Sequence, residues 1–248
     1  MKLVINADDF GLTKSITDGI VDSIKGGYVT STSVMVNMPY AEYAMNKAIE
    51  NDLDCIGLHI VFTKGKPVVP NKNLTDKNGE FFYKQAQIER TDLNYDDVCA
   101  EIEAQIQVFK KLAKGKLHIN HFTTHHFLYP NNVIRKAVFD IARKYGVPVR
   151  NELKISLDCE EAKGLTMPAM FFDDWSLVDV SYKKLESITN EIKNQNTTAE
   201  LMVHTGYVDD ETRATTSYLI RDVEMQVLKQ AKENGLFDKI ELIDFSRL

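Results

Sequence analysis

No apolar run in the sequence approaches the ~20 residues that a membrane-spanning helix requires, so no membrane partner is expected. Basic residues are not in excess: 30 Lys and Arg stand against 36 Asp and Glu, a formal charge of −6. A nucleic-acid partner is therefore not expected, because no basic face is available to displace counterions from phosphates. Cysteine is scarce, and Cys55, Cys99 and Cys159 are odd in number and far apart. That argues against a disulfide framework and fits reduced thiols in a cytoplasmic setting. The opening MKLVINADDFG turns acidic after one strand's worth of residues, unlike a signal peptide. Aromatic residues reach only 9%, yet apolar residues make up 44%, enough for one sizeable core and against disorder. At 248 residues the chain is long for one domain unless it forms a barrel or a sandwich.

What the sequence does contain is alternation. Leu3–Ala7, Val29–Val36, Cys55–Val61, Leu117–Phe122, Val147–Arg150, Ala199–Val203 and Ile240–Ile243 read as strands. Between them, Ile16, Ile20 and Ile24 recur at i+4 behind a capping Thr13, and Gly26-Gly27 ends that helix. Tyr40–Glu50 makes a second helix, and Val98, Ile102, Ile106 and Phe109 a third that ends near Gly115. Ile134, Val138, Ile141 and Tyr145 mark a fourth, stopped by Gly146. Lys183–Asn194 and Leu219–Ala231 make two more. Residues 152–180 show no clear pattern. Strand and helix in alternation imply parallel strands with crossover helices. The predicted fold is a single-domain α/β barrel related to the TIM barrel over 1–248, irregular or one strand short. A loop excursion at about 63–93 interrupts it, and so long a stretch without periodicity is usually functional.

The residues able to do chemistry fall at predicted strand ends. The acidic pair Asp8-Asp9 follows the first strand, His59 lies in the third, and His118, His121, His125 and His126 crowd the fourth. His204 follows the sixth. The C-terminal ends of barrel strands converge on one face, and imidazole with carboxylate is a usual donor set for a divalent cation. Each residue also has an ordinary explanation: a turn or helix cap for the aspartates, a satisfied core imidazole for His59, a polar strand end for His204. Their shared position is what points to a site. The histidine run lacks zinc-finger spacing and cysteine partners. Asp173-Asp174-Trp175 reads as a solvated loop.

Asn6-Ala7-Asp8-Asp9-Phe10-Gly11, Val29-Thr30-Ser31-Thr32, Ile56-Gly57-Leu58-His59 and Thr63-Lys64-Gly65-Lys66-Pro67 together resemble the YdjC-like carbohydrate deacetylases, which include chitooligosaccharide deacetylases. The resemblance implies a TIM-related barrel, one divalent metal ion (magnesium or zinc, with manganese or cobalt also suitable), and hydrolysis of acetyl groups on mono- or oligosaccharides. It puts Asp9, His59 and His125 at the metal-ligand positions and Asp8 at that of the general base. His204 falls at the position of the general acid, and Arg150 at that of an arginine orienting the base. This chain departs from the family pattern at Thr123, where an aspartate is usual, at Phe127 and Tyr129, where histidines are usual, and at Thr205, which replaces a proline. His126 stays an alternative to His125. A phosphodiesterase or sugar isomerase with the same ligands, and a catalytically silent binder of sugar or metal, also stay open. So does a homodimer.

Overall fold

The computed structural model describes residues 1–248. Seven strands form one parallel sheet: β1 (Lys2–Phe10), β2 (Ser31–Val34), β3 (Ile56–Ile60), β4 (Phe122–Thr124), β5 (Met170–Phe172), β6 (Thr198–Val203) and β7 (Glu241–Leu242). Their order is β4-β3-β2-β1-β6-β5, with β7 beside the first residues of β1. Eight helices surround them: α1 (Lys14–Lys25), α2 (Ala41–Glu50), α3 (Gln85–Ile88), α4 (Tyr95–Ala113), α5 (Asn132–Tyr145), α6 (Tyr182–Gln195), α7 (Asp210–Thr215) and α8 (Arg221–Glu233). The fold is a single α/β domain with a curled, barrel-like sheet, as the alternation predicts.

The helix ends obey local chemistry. Thr13 accepts from Ile16 N to cap α1, Asn94 caps α4 and Asn131 caps α5. Gly146 ends α5 at φ +64°, a conformation that costs glycine nothing. Three expectations need correction. The fourth strand is Phe122–Thr124, not Leu117–Phe122. The expected strand Val147–Arg150 contracts to one bridge, Val149 against Phe122, flanked by Phe122 N to Pro148 O at 2.8 Å and Arg150 N to Phe122 O at 3.0 Å. Val149 N also donates to Thr166 O at 2.9 Å, so this segment spans the gap between β4 and the approach to β5. β5 itself lies in the stretch whose sequence shows no pattern. Asp173-Asp174-Trp175 is a loop with Asp174 exposed, as expected, but Trp175 is fully buried, with its indole N–H donated to Ser181 O at 3.0 Å, so its side chain belongs to the core.

The apolar core lies between sheet and helices, while the inside of the barrel is polar. Asn6 Nδ2 donates to Asp8 Oδ1 at 2.8 Å, Ser33 Oγ donates to the same oxygen at 3.1 Å, and Arg150 links Asp8 to Glu200. Below this layer the interior is closed by Phe245, stacked on His121 with ring centroids 3.9 Å apart. Gly57 makes that stack possible, because a Cβ there would stand 2.3 Å from the His121 ring.

Candidate active site

Asp8 and Asp9 are consecutive, and successive strand residues point to opposite faces. The backbone resolves this at Asp9 itself, which adopts φ +73°. The register of β1 with β2 slips between Ala7 and Phe10 at the same point. This bulge turns both carboxylates to the open end of the barrel. A non-glycine residue held in that region is strained, and the partners of Asp9 show what holds it. Arg221 Nη2 donates to Asp9 Oδ2 at 2.5 Å, His125 Nδ1 lies 3.1 Å from Oδ1, and His59 Nε2 lies 3.6 Å from Oδ1.

Asp9, His59 and His125 each offer one ligand atom within 4.8 Å of the others, and all three residues are buried. Asp9 Oδ1 and His125 Nε2 have no hydrogen-bond partner. Orphaned buried acceptors are costly unless something occupies them, so this trio fits a cation. His59 is oriented from behind: its Nδ1 is 2.7 Å from Thr123 Oγ1 and 3.3 Å from Ser33 Oγ, leaving Nε2 for the site. Thr123 thus holds the ring through its hydroxyl. His126 turns aside to Thr63 Oγ1, 3.0 Å from its Nδ1.

Asp8 is gripped by the Arg150 guanidinium with two bonds, Nη1 to Oδ2 at 2.7 Å and Nη2 to Oδ1 at 2.9 Å. Arg150 Nε donates to Glu200 Oε1 at 2.7 Å. Burial alone would raise the Asp8 carboxyl, but Arg150 outweighs it and holds the group well below the carboxylate range. Burial and Arg221 oppose each other at Asp9 in the same way, and Arg221, with His125 beside it, wins. Glu200 is the reverse: burial outweighs Arg150 and raises it to about 7. His204 sits half-buried over the Tyr218 ring, centroids 4.7 Å apart, and its backbone N–H donates to Glu224 Oε2 at 2.5 Å. Burial lowers its imidazole to about 4, so the ring is neutral at pH 7 in the free protein.

These groups open into a cleft of about 790 Å³ whose wall includes Asp8, Asp9, His59, His125 and His204. Lys64, Tyr83, Lys84, Gln85 and Ile88 of the 63–93 excursion line its mouth, as does Asp173. His118 and His121 do not reach it. They precede β4, so they lie at the opposite end of the barrel, against the expectation that the whole run faces the site. Two residues at the centre escape sequence reading, and each carries a signal. Arg221 is a cation in the first turn of α8, where the helix dipole disfavours one. Glu200 is a charge inside an apolar strand, which is rare unless paired.

A parallel α/β barrel with carboxylate and two imidazoles at the C-terminal strand ends defines a class of candidate metal-centred barrel proteins. The sequence model of the YdjC-like protein family matches residues 2–237, and the chain belongs to that family. A carbohydrate deacetylase of Oceanobacillus iheyensis is 34% identical over 230 residues, covering 92% of this chain and 96% of that one. One from Vibrio cholerae serotype O1 is 33% identical over 253 residues, covering 100% and 96%. A crystal structure from Enterococcus faecalis V583, of a protein named for cellobiose-phosphate cleavage, superposes with a TM-score of 0.88 at 26% identity, covering 99% and 98%. No helix is long and apolar enough to cross a membrane, and the three cysteines are free thiols.

Proposed function

We propose that this chain is, over its whole length, a carbohydrate deacetylase domain that removes acetyl groups, foremost N-acetyl groups, from acetylated mono- or oligosaccharides. The observation that carries the reading is the meeting of Asp9, His59 and His125 beside Asp8 at one end of a cleft wide enough for sugar. The names of full-length relatives at about a third identity support it. Asp9, His59 and His125 would hold one divalent ion. Two imidazoles and a carboxylate suit zinc, manganese or cobalt, and magnesium is the further metal the family suggests. When bound, such an ion would supply Lewis acidity towards the acetyl carbonyl.

The remaining work falls to the chain's own side chains. Asp8, fixed in plane by Arg150, takes the proton from the attacking water. His204, on the wall of the same cleft, gives a proton to the departing sugar nitrogen, which cannot leave as an anion. Tyr83, Lys84 and Phe127 at the mouth select the sugar.

The test is acetate release from acetylated mono- and oligosaccharides, with chelator and with each metal restored. Acetate loss that chelator abolishes is expected, together with an Asp8→Asn variant that retains metal but not turnover. Cleavage of a glycosidic bond without acetate release would replace this reading with the chemistry for which the Enterococcus relative is named.

A further inference from the structure

Arg221 ties three elements to the candidate metal centre. Its side chain is fully buried. Nη2 donates to Asp9 Oδ2 at 2.5 Å, Nη1 to His204 O at 3.4 Å and Nε to Tyr218 O at 3.2 Å. Asp9 Oδ1, by contrast, has no hydrogen-bond partner and is the oxygen beside His125 and His59. The two oxygens of one carboxylate are thus divided, one bound by a cation of the protein and one left free among the imidazoles.

We propose that Arg221 is a positioning residue of the metal centre, which occupies Asp9 Oδ2 and so restricts Asp9 to one donor oxygen for a divalent ion. The inference rests on the metal-centre reading above. Two consequences follow from elementary electrostatics. A carboxylate oxygen engaged by a guanidinium is held in place and has less lone-pair density to offer an ion, so closure by both oxygens is disfavoured. The guanidinium also offsets the carboxylate's charge, so a bound ion keeps more of its own and draws electrons from the substrate carbonyl more strongly. The placement is costly for the fold: a cation in the first turn of a helix opposes the dipole, and a buried guanidinium needs a full set of partners. A residue serving only to brace the His204 and Tyr218 carbonyls would not need to sit on Asp9.

The experiment loads cobalt(II) into the parent, Arg221→Met and Arg221→Lys, and reads the visible ligand-field spectrum and the dissociation constant by calorimetry. In Arg221→Met, cobalt is expected to bind about tenfold tighter, because a like charge is gone from beside the ion. The ligand-field bands are expected to weaken as the second oxygen of Asp9 joins the coordination. Arg221→Lys, which keeps the charge and one N–H, is expected to stay close to the parent in both. A folded Arg221→Met with the parent's spectrum and affinity overturns the proposal, as does weaker binding with an unchanged spectrum. If Arg221→Met does not fold, Arg221→Gln, a neutral donor, is expected to show the tighter binding, and unchanged affinity there overturns it equally. Failure of the parent itself to bind cobalt would instead bring down the metal-centre reading.

Discussion

His121 and His125 are four positions apart, both buried, and serve opposite ends of one barrel. His121 precedes β4 and is flattened against Phe245, its Nδ1 3.1 Å from Asn120 Oδ1. His125 follows β4 and faces Asp9 across 3.1 Å. The three residues of β4 carry the chain from the plugged end to the open one. Residue type is the same in both places; what differs is the side of the strand on which the residue falls. In a parallel barrel, therefore, the density of histidines in a segment says less than their position relative to the strand. The backbone marks the difference as well, since His126 and Phe127 both take positive φ in turning into the cleft.

The comparison breaks most sharply under paired substitution. His125→Ala is expected to lose stoichiometric metal and to reduce deacetylation to background while melting near the parent. His121→Ala is expected to keep metal and turnover but lose about 2–4 kcal/mol of stability, because a stacked buried ring leaves a cavity under the barrel. Elemental analysis and chemical denaturation of both proteins check this. Full metal occupancy in His125→Ala would remove it from the ligand set and reopen the case for His126.

How much of this could be read in the sequence depends on the range of the forces involved. Periodicity and capping are local, so α1, α4 and α5 and the strands around them follow from apolar spacing, the Thr13 cap and the glycines near the helix ends. β4 lies later than expected because Leu117–Phe122 has the apolar content of a strand, yet its bonds to β3 begin only at Asn120 N to Ile56 O and Leu58 N to His121 O, and the paired register runs over Phe122–Thr124. β5 is three residues long, too short for any alternation to show. In the site, residue types and strand-end positions point to a cluster of aspartate and histidine, but the choice of Asp9, His59 and His125 within it comes from the family resemblance, and the structure brings those three together. Arg221 and Glu200 act through partners 212 and 50 residues away, and nothing local declares such pairs. The excursion's contribution to the cleft was legible only as a break in rhythm.

A smaller effect is expected at His204, where the open end can be divided into acid and ligand functions. General-acid assistance is worth about 10²–10⁴-fold in rate, and a poor leaving group needs it most. His204→Ala is therefore expected to retain metal and to lose far more activity on N-acetyl sugars than on an activated acetyl ester. Parallel turnover numbers on the two substrates check it, and equal losses would move His204 from proton donor to substrate contact.

The smallest effect separates the ends by pH. Glu152 supports the turn that carries His125 into the cleft, its carboxylate accepting from Thr124 Oγ1 at 2.6 Å, Thr124 N at 3.2 Å and Tyr129 N at 3.4 Å. Burial, against the pull of Thr124 and Arg150, raises its carboxyl from 4.5 to about 7. A folded-state value above the unfolded one means that the native protein binds the proton more tightly. The stability this gives is complete below about pH 4.5 and disappears as pH rises through 7. Its full size is about 3 kcal/mol. His59 and His204, lowered by burial to about 4, contribute a slope of the opposite sign, so the informative quantity is the difference between variant and parent. Glu152→Gln keeps an oxygen for Thr124 but cannot titrate. Between pH 4.5 and 8 its unfolding free energy relative to the parent should therefore climb by up to about 3 kcal/mol, in urea melts at matched ionic strength. The same series on His121→Ala should run the other way, falling as pH rises towards 6.5, because burial holds that imidazole well below its usual value in the folded protein while the unfolded chain still protonates it. A flat difference for Glu152→Gln would mean that Glu152 is ionised in the folded protein, with Thr124 and Arg150 prevailing over burial.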